Sequence, residues 1–151
     1  ASPMRSPDPF LFFSQKEKEL IAAAVREAET NCSAEIRVHL ERTAREDVLS
    51  HAREVFEKLD MTKTDQRNGV LIFLGVRSHR FAVIGDKGIH DKVEPGFWDA
   101  VSAGMTHHFK NDEFASGIVA AVKTIGERLK AHFPYHRDDV NELPDAISYS
   151  L

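Results

Sequence analysis

The chain has 151 residues, 42% of them hydrophobic and 29% charged, with a net charge of −4. That fits one compact domain able to bury a core without covalent staples. Twenty Lys and Arg against 24 Asp and Glu exclude nucleic-acid binding through bulk charge, and the single cysteine, Cys32, excludes an intramolecular disulfide framework or a cysteine-rich zinc site. No apolar run reaches the roughly 20 residues of a membrane span, and no signal peptide is visible, so the expectation is a cytoplasmic chain with no membrane span.

Residues 1–13 read as an N-terminal arm in which Phe10, Leu11, Phe12 and Phe13 dock on the core. Residues 14–134 form the domain. Ser14-Gln15-Lys16-Glu17 is a capping box, with a hydroxyl and a carboxylate placed to satisfy each other's orphan amides. Leu20, Ile21, Ala24, Val25 and Ala28 then mark one helical face, ending near Thr30-Asn31. Ile36, Val38 and Leu40 alternate with charged or polar residues over 34–41, which predicts a half-buried strand with one apolar face. Thr43-Ala44-Arg45-Glu46 reads as a second capping box, opening a helix marked by Val48, Leu49, Ala52, Val55, Phe56 and Leu59.

Residues 69–76 are continuously apolar, as suits a central strand covered on both faces. Arg77-Ser78-His79 turns the chain, and residues 80–85 return as the second strand of a hairpin. The order helix, strand, helix, strand predicts that the first two strands are parallel. A polar turn follows from Asp86. Phe97, Trp98, Val101, Met105 and Phe109 mark a third helix; Phe114, Ile118, Ala121, Val122, Ile125 and Leu129 mark a fourth, stopped by Pro134. Gly117 and Gly126 within it each cost about 1 kcal/mol of helix propensity, which a close helix–sheet contact would explain. Residues 135–151 read as a polar tail, ordered only where it docks.

This topology brings three polar segments to one end of the sheet: Ser33-Ala34-Glu35, Thr64-Asp65-Gln66-Arg67-Asn68 and Asp86-Lys87-Gly88. The start of the fourth helix, Asn111-Asp112-Glu113, is a further candidate for the same rim. Oxygen-rich loops suit a hard cation, calcium in the first place and magnesium where phosphate shares the site. The candidate ligands are Asp65, Asn68, Asp86 and Asp112, with Glu35 beside them. Asp and Asn at strand ends also serve ordinary turns. No EF-hand, Walker loop, GxGxxG, GxSxG or HExxH pattern occurs. His107 and His108 are adjacent and point apart on a helix, so they cannot share a metal as i,i+4 ligands do.

Ser33-Ala34-Glu35-Ile36, Arg67-Asn68-Gly69-Val70-Leu71-Ile72, the run from Arg80 through Gly85-Asp86-Lys87-Gly88-Ile89, and Phe109-Lys110-Asn111-Asp112-Glu113-Phe114-Ala115-Ser116-Gly117-Ile118 together resemble the TPM domain. His132-Phe133-Pro134 and Asp139-Val140-Asn141-Glu142-Leu143 look like a short, soluble bacterial branch of that family. The resemblance implies a three-layer α/β sandwich, a central mixed sheet of about four strands with helices on both faces. It also implies calcium or another divalent cation at loops on one edge, and the phosphatase or nucleotide-hydrolysing activity of some members. Many members carry a signal sequence and a C-terminal membrane helix; neither is visible here, so envelope or thylakoid roles are not carried over. Where the family has Gly-Tyr-Gly, this chain has Gly85-Asp86-Lys87-Gly88, with an extra carboxylate.

Two functions follow as expectations. The first is a calcium-binding domain that hydrolyses a phosphate ester or nucleotide. The second is a non-catalytic module that binds a protein partner through the Phe10–Phe13 arm, the Phe97-Trp98 pair and the acidic tail.

Overall fold

A computed structural model describes residues 5–135 and 146–151. A short helix α1 (Pro9–Phe12) leads into α2 (Gln15–Asn31), β1 (Glu35–Glu41) and α3 (Val48–Lys58). The hairpin β2 (Gly69–Gly75) and β3 (Arg80–Gly85) follows, then the single turn α4 (Lys87–His90), α5 (Phe97–Lys110), α6 (Phe114–Leu129) and β4 (Ile147–Ser150). The capping box at Ser14 forms as expected, with both reciprocal bonds to Glu17.

Among the described residues the strands make one mixed sheet in the order β3-β2-β1-β4. β1 is parallel to β2 and to β4, and β2 is antiparallel to β3. Ile36, Val38, Leu40, Val70, Ile72 and Leu74 face α2, α5 and α6, while Leu71, Phe73 and Ala82 face α3 and Met61. Helices therefore cover both faces, as the three-layer expectation requires. Phe12 and Phe13 of the arm are buried in the larger core.

Four features depart from the sequence expectations. Residues 147–150 are a strand within the stretch expected to be a tail. It pairs with β1 in the register Val38↔Ile147 to Glu41↔Ser150. The segment 139–143 lies outside the described residues. Helix α3 begins at Val48, not in the Thr43 box: Ala44 is buried beside Gly75, and Asp47 is the N-cap, accepting from the Ser50 amide at 3.1 Å. The polar face of β1 is not solvated, since Glu35, Arg37 and His39 are all buried. Finally, the two α6 glycines serve helix–helix contacts. An added Cβ at Gly126 would lie 2.8 Å from the Ala28 Cβ of α2, and one at Gly117 would lie 2.9 Å from the His108 Cβ of α5.

Candidate functional site

At the end of the sheet where β1 and β2 begin and β3 ends, the three predicted loops meet. The Asn68 and Gln66 side-chain amides each donate to the Ser33 hydroxyl at 3.3 Å. The Glu35 amide donates to the Asn68 carbonyl, and the Gly88 amide to the Arg67 carbonyl. Arg67 takes a left-handed backbone conformation at φ 50°. Its guanidinium donates to both oxygens of Asp86, at 2.6 and 2.8 Å, in the bidentate geometry that makes such pairs strong. Those bonds to Asp86 push the pKa of the Arg67 guanidinium above its ordinary value. The Asp86 carboxylate also caps the Lys87 amide at 2.8 Å.

Gly88 keeps this rim closed. An added Cβ there would collide with the Gln66 carbonyl oxygen and crowd that of Arg67. The loop between α3 and β2 thus packs directly against the turn after β3.

The predicted ligands separate on this frame. Asn68 and Asp86 are buried at the rim, and Asp65 is exposed beside them. Glu35 lies at the rim by its backbone, but its side chain is hydrogen-bonded with Glu29 of α2. Asp112 is not part of this rim. Its neighbour Phe114 packs 5.4 Å from His79, in the turn joining β2 and β3, which is the opposite end of the sheet. Asp112 instead adds its charge to Arg5. No group of three or more His, Cys, Asp and Glu side chains among the described residues is arranged to hold a metal ion. The rim's donors are all hard oxygens, and the cation already on Asp86 is the guanidinium of Arg67.

Sequence reasoning missed the polar row of β1. The Ile36 amide donates to Glu29 Oε2 at 3.1 Å, at a point on the outer edge of β1 that precedes its pairing with β4. Burial pushes the Glu29 carboxyl up, against the opposing effects of the Ile36 amide, Glu35 and Arg37. Further along β1, His39 bonds Ser148 and Glu41. Alternation had marked these residues only as polar. A buried charged row reads the same as a solvated one until its cover is known.

The aromatic surfaces proposed for a partner are largely occupied. Phe12, Phe13 and Phe97 are buried, and Trp98 packs against the core. Arg5 sits over the rings of Phe12, Phe13 and Phe114 while pairing with Glu17 at 2.7 Å.

Residues 8–128 match the family model described as the TPM domain. The chain belongs to the TPM domain family. The structure is similar to that of BA42 protein from the psychrophilic bacterium Bizionia argentinensis, with 42% identity and a TM-score of 0.85 over 92% of this chain and 96% of that one. It shares the fold of the N-terminal domain of a P. gingivalis protein, at 16% identity and a TM-score of 0.64 over 83% of this chain and 82% of that one. It also shares the fold of the N-terminal domain of cg2496 protein from Corynebacterium glutamicum, at 12% identity and a TM-score of 0.59 over 97% and 89%. No curated protein matches the chain. Among the described residues no helix of this TPM domain is long and apolar enough to cross a membrane.

Proposed function

We propose that the rim formed by Ser33, Asp65, Asn68 and Asp86 is a divalent-cation site, calcium first and magnesium second, serving hydrolysis of a phosphate ester or nucleotide. Support comes from one observation above all: a carboxylate only 7% exposed holds a cationic group in bidentate contact at the rim. Asp65, Asn68 and Asp86 would hold the ion, in exchange for Arg67. Membership of the TPM family points the same way. Glu35 and Asp112 leave the ligand set.

When bound, such a cation would supply Lewis-acid stabilisation of charge on phosphate oxygens. The chain's own contribution is electrostatic. Arg67, released from Asp86, and the exposed Lys87 both stand at the rim to meet the remaining phosphate charge.

Calcium titration followed by thermal denaturation tests the binding. A ligand held only by the folded state raises apparent stability. The melting temperature is expected to rise with millimolar calcium, to rise more in R67Q, which lacks the internal competitor, and not to respond in D86N. Indifference of the parent protein to calcium and magnesium overturns the cation site. Turnover of p-nitrophenyl phosphate that survives both chelation and D86N overturns the hydrolytic assignment.

A further inference from the structure

β3 ends the sheet on its side, with no strand beyond it among the described residues. The Asp86 amide donates to the Gly69 carbonyl at 2.9 Å, which fixes the phase of the β2–β3 ladder. Inward-bonded residues alternate along an antiparallel strand. Ile84, Ala82 and Arg80 therefore turn their backbone groups towards β2, and Phe81, Val83 and Gly85 turn theirs outwards. No backbone bond from a described residue closes on those outward groups.

Free edges invite pairing, and proteins usually blunt them with charge, proline or a bulge. From Phe81 to Gly85 this strand carries none of these charges or prolines, and its register against β2 is unbroken.

The edge lies at the bottom of a groove of about 710 Å³. Phe81, Ala82, Val83, Ile84, Gly85 and Asp86 line it in unbroken succession. Successive strand residues face opposite sides of the sheet, so a cavity over one face would meet only every second residue. This groove follows the edge itself. One wall is α3, with Leu49 and Phe56; the other is α5, with Trp98 and Ser102.

We propose that this groove docks a segment of a partner protein in extended conformation, which adds to the sheet as a strand against β3. Outward N–H and C=O groups at every second residue match an extended backbone and no helix. The two helical walls flank the edge on both sides. A second copy would have to bring its own α3 and α5 into the same space. The charges lining the groove balance, with Arg53, Arg67 and Lys87 against Glu57, Asp86 and Asp99. The occupant is therefore an uncharged segment with apolar side chains, held by backbone bonds and burial rather than by charge. The groove reaches the rim at Arg67 and Asp86, but docking needs no cation there.

The test uses the whole chain in the presence of EDTA, so that its outcome is independent of the cation site, with short random peptides displayed on phage as the probe. Selected peptides are expected to be apolar and uncharged, and their binding to change little with salt. They should slow amide exchange at Phe81, Val83 and Gly85 and change the fluorescence of Trp98, the only tryptophan. Methylating alternate peptide amides in one phase should weaken binding about tenfold or more, and in the other phase leave it unchanged. Failure to select any binder, equal effects of both methylation phases, or protection confined to other parts of the fold each overturn the proposal. So does a dimer of this chain that protects the same amides.

Discussion

The Nδ1 of His39 and the hydroxyl of Ser148 lie 2.7 Å apart, directly opposite each other across β1 and β4. The other ring nitrogen is 3.1 Å from Glu41 Oε1, and His51 Nε2 approaches the same oxygen at 3.7 Å. Burial pushes the His39 imidazolium below its ordinary 6.5, opposed by Glu41 and reinforced by His51 and Arg37. The folded state therefore binds this proton less readily than the unfolded chain. The associated stability is complete above that value and is lost as pH falls through the lowered folded pKa. Urea denaturation between roughly pH 7 and pH 5 should show the parent losing stability, and H39Q losing less.

Ser148 adds a side-chain tie to the backbone pairing of β1 with the edge strand β4. S148A is expected to cost about 1 kcal/mol, the net worth of one hydrogen bond. The local signature is faster amide exchange at Val38 and Arg42, whose N–H groups donate to Ala146 and Ser150. Unchanged exchange there would mean that backbone pairing alone holds β4.

Glu29 acts with the opposite sign. Its carboxyl is pushed up from 4.5, chiefly by burial. A raised carboxyl favours the folded state while protonated, so this stability is full below the unfolded value and is lost as pH rises through the folded pKa. E29Q keeps an acceptor for the Ile36 amide and removes the charge. The variant is expected to be more stable than the parent at neutral pH and less pH-dependent above about 4.5, by urea denaturation.

Helix α3 offers a choice between two caps. D47A should cost about 1 kcal/mol, because it removes the side chain that satisfies the Ser50 amide. T43A, at an exposed position ahead of the helix, should be close to neutral. Thermal melts of the two variants decide it.

The rim is expected to be intolerant of bulk at Gly88. G88A would drive a methyl group into the Gln66 and Arg67 carbonyl oxygens. Overpacking of this kind costs about 1–3 kcal/mol. Thermal denaturation reads the loss, and exchange of the Gly88 amide shows whether its bond to Arg67 opens first.

Hydrophobic period was enough to read α2, α5, α6 and β1, and the continuous apolar run with its return across a short turn was enough for β2 and β3. The parallel β1–β2 pair and the meeting of the Ser33, Asn68 and Asp86 loops follow from chain order and handedness alone. β4 was illegible for a different reason. Ile147-Ser148-Tyr149-Ser150 holds only two alternations, too few to separate a strand from a polar tail. The Thr43 box failed because Ala44 is needed in the core beside Gly75, so the chain cannot begin its helix there. Asp112 was assigned to the rim by residue type, whereas the length of α5 carries it to the far end of the sheet.

The tie between His39 and Ser148 spans 109 positions of the chain. A ribosome that has just delivered β1 must synthesise α3, the hairpin, α4, α5 and α6 before the neighbour for that edge exists. Throughout this interval the outer side of β1 is an unpaired template, the kind of surface on which nascent chains misassociate. Glu29, delivered before β1, already covers the Ile36 amide on that edge. That bond satisfies the start of the edge without β4, and leaves only the stretch from Val38 onward dependent on the last described strand.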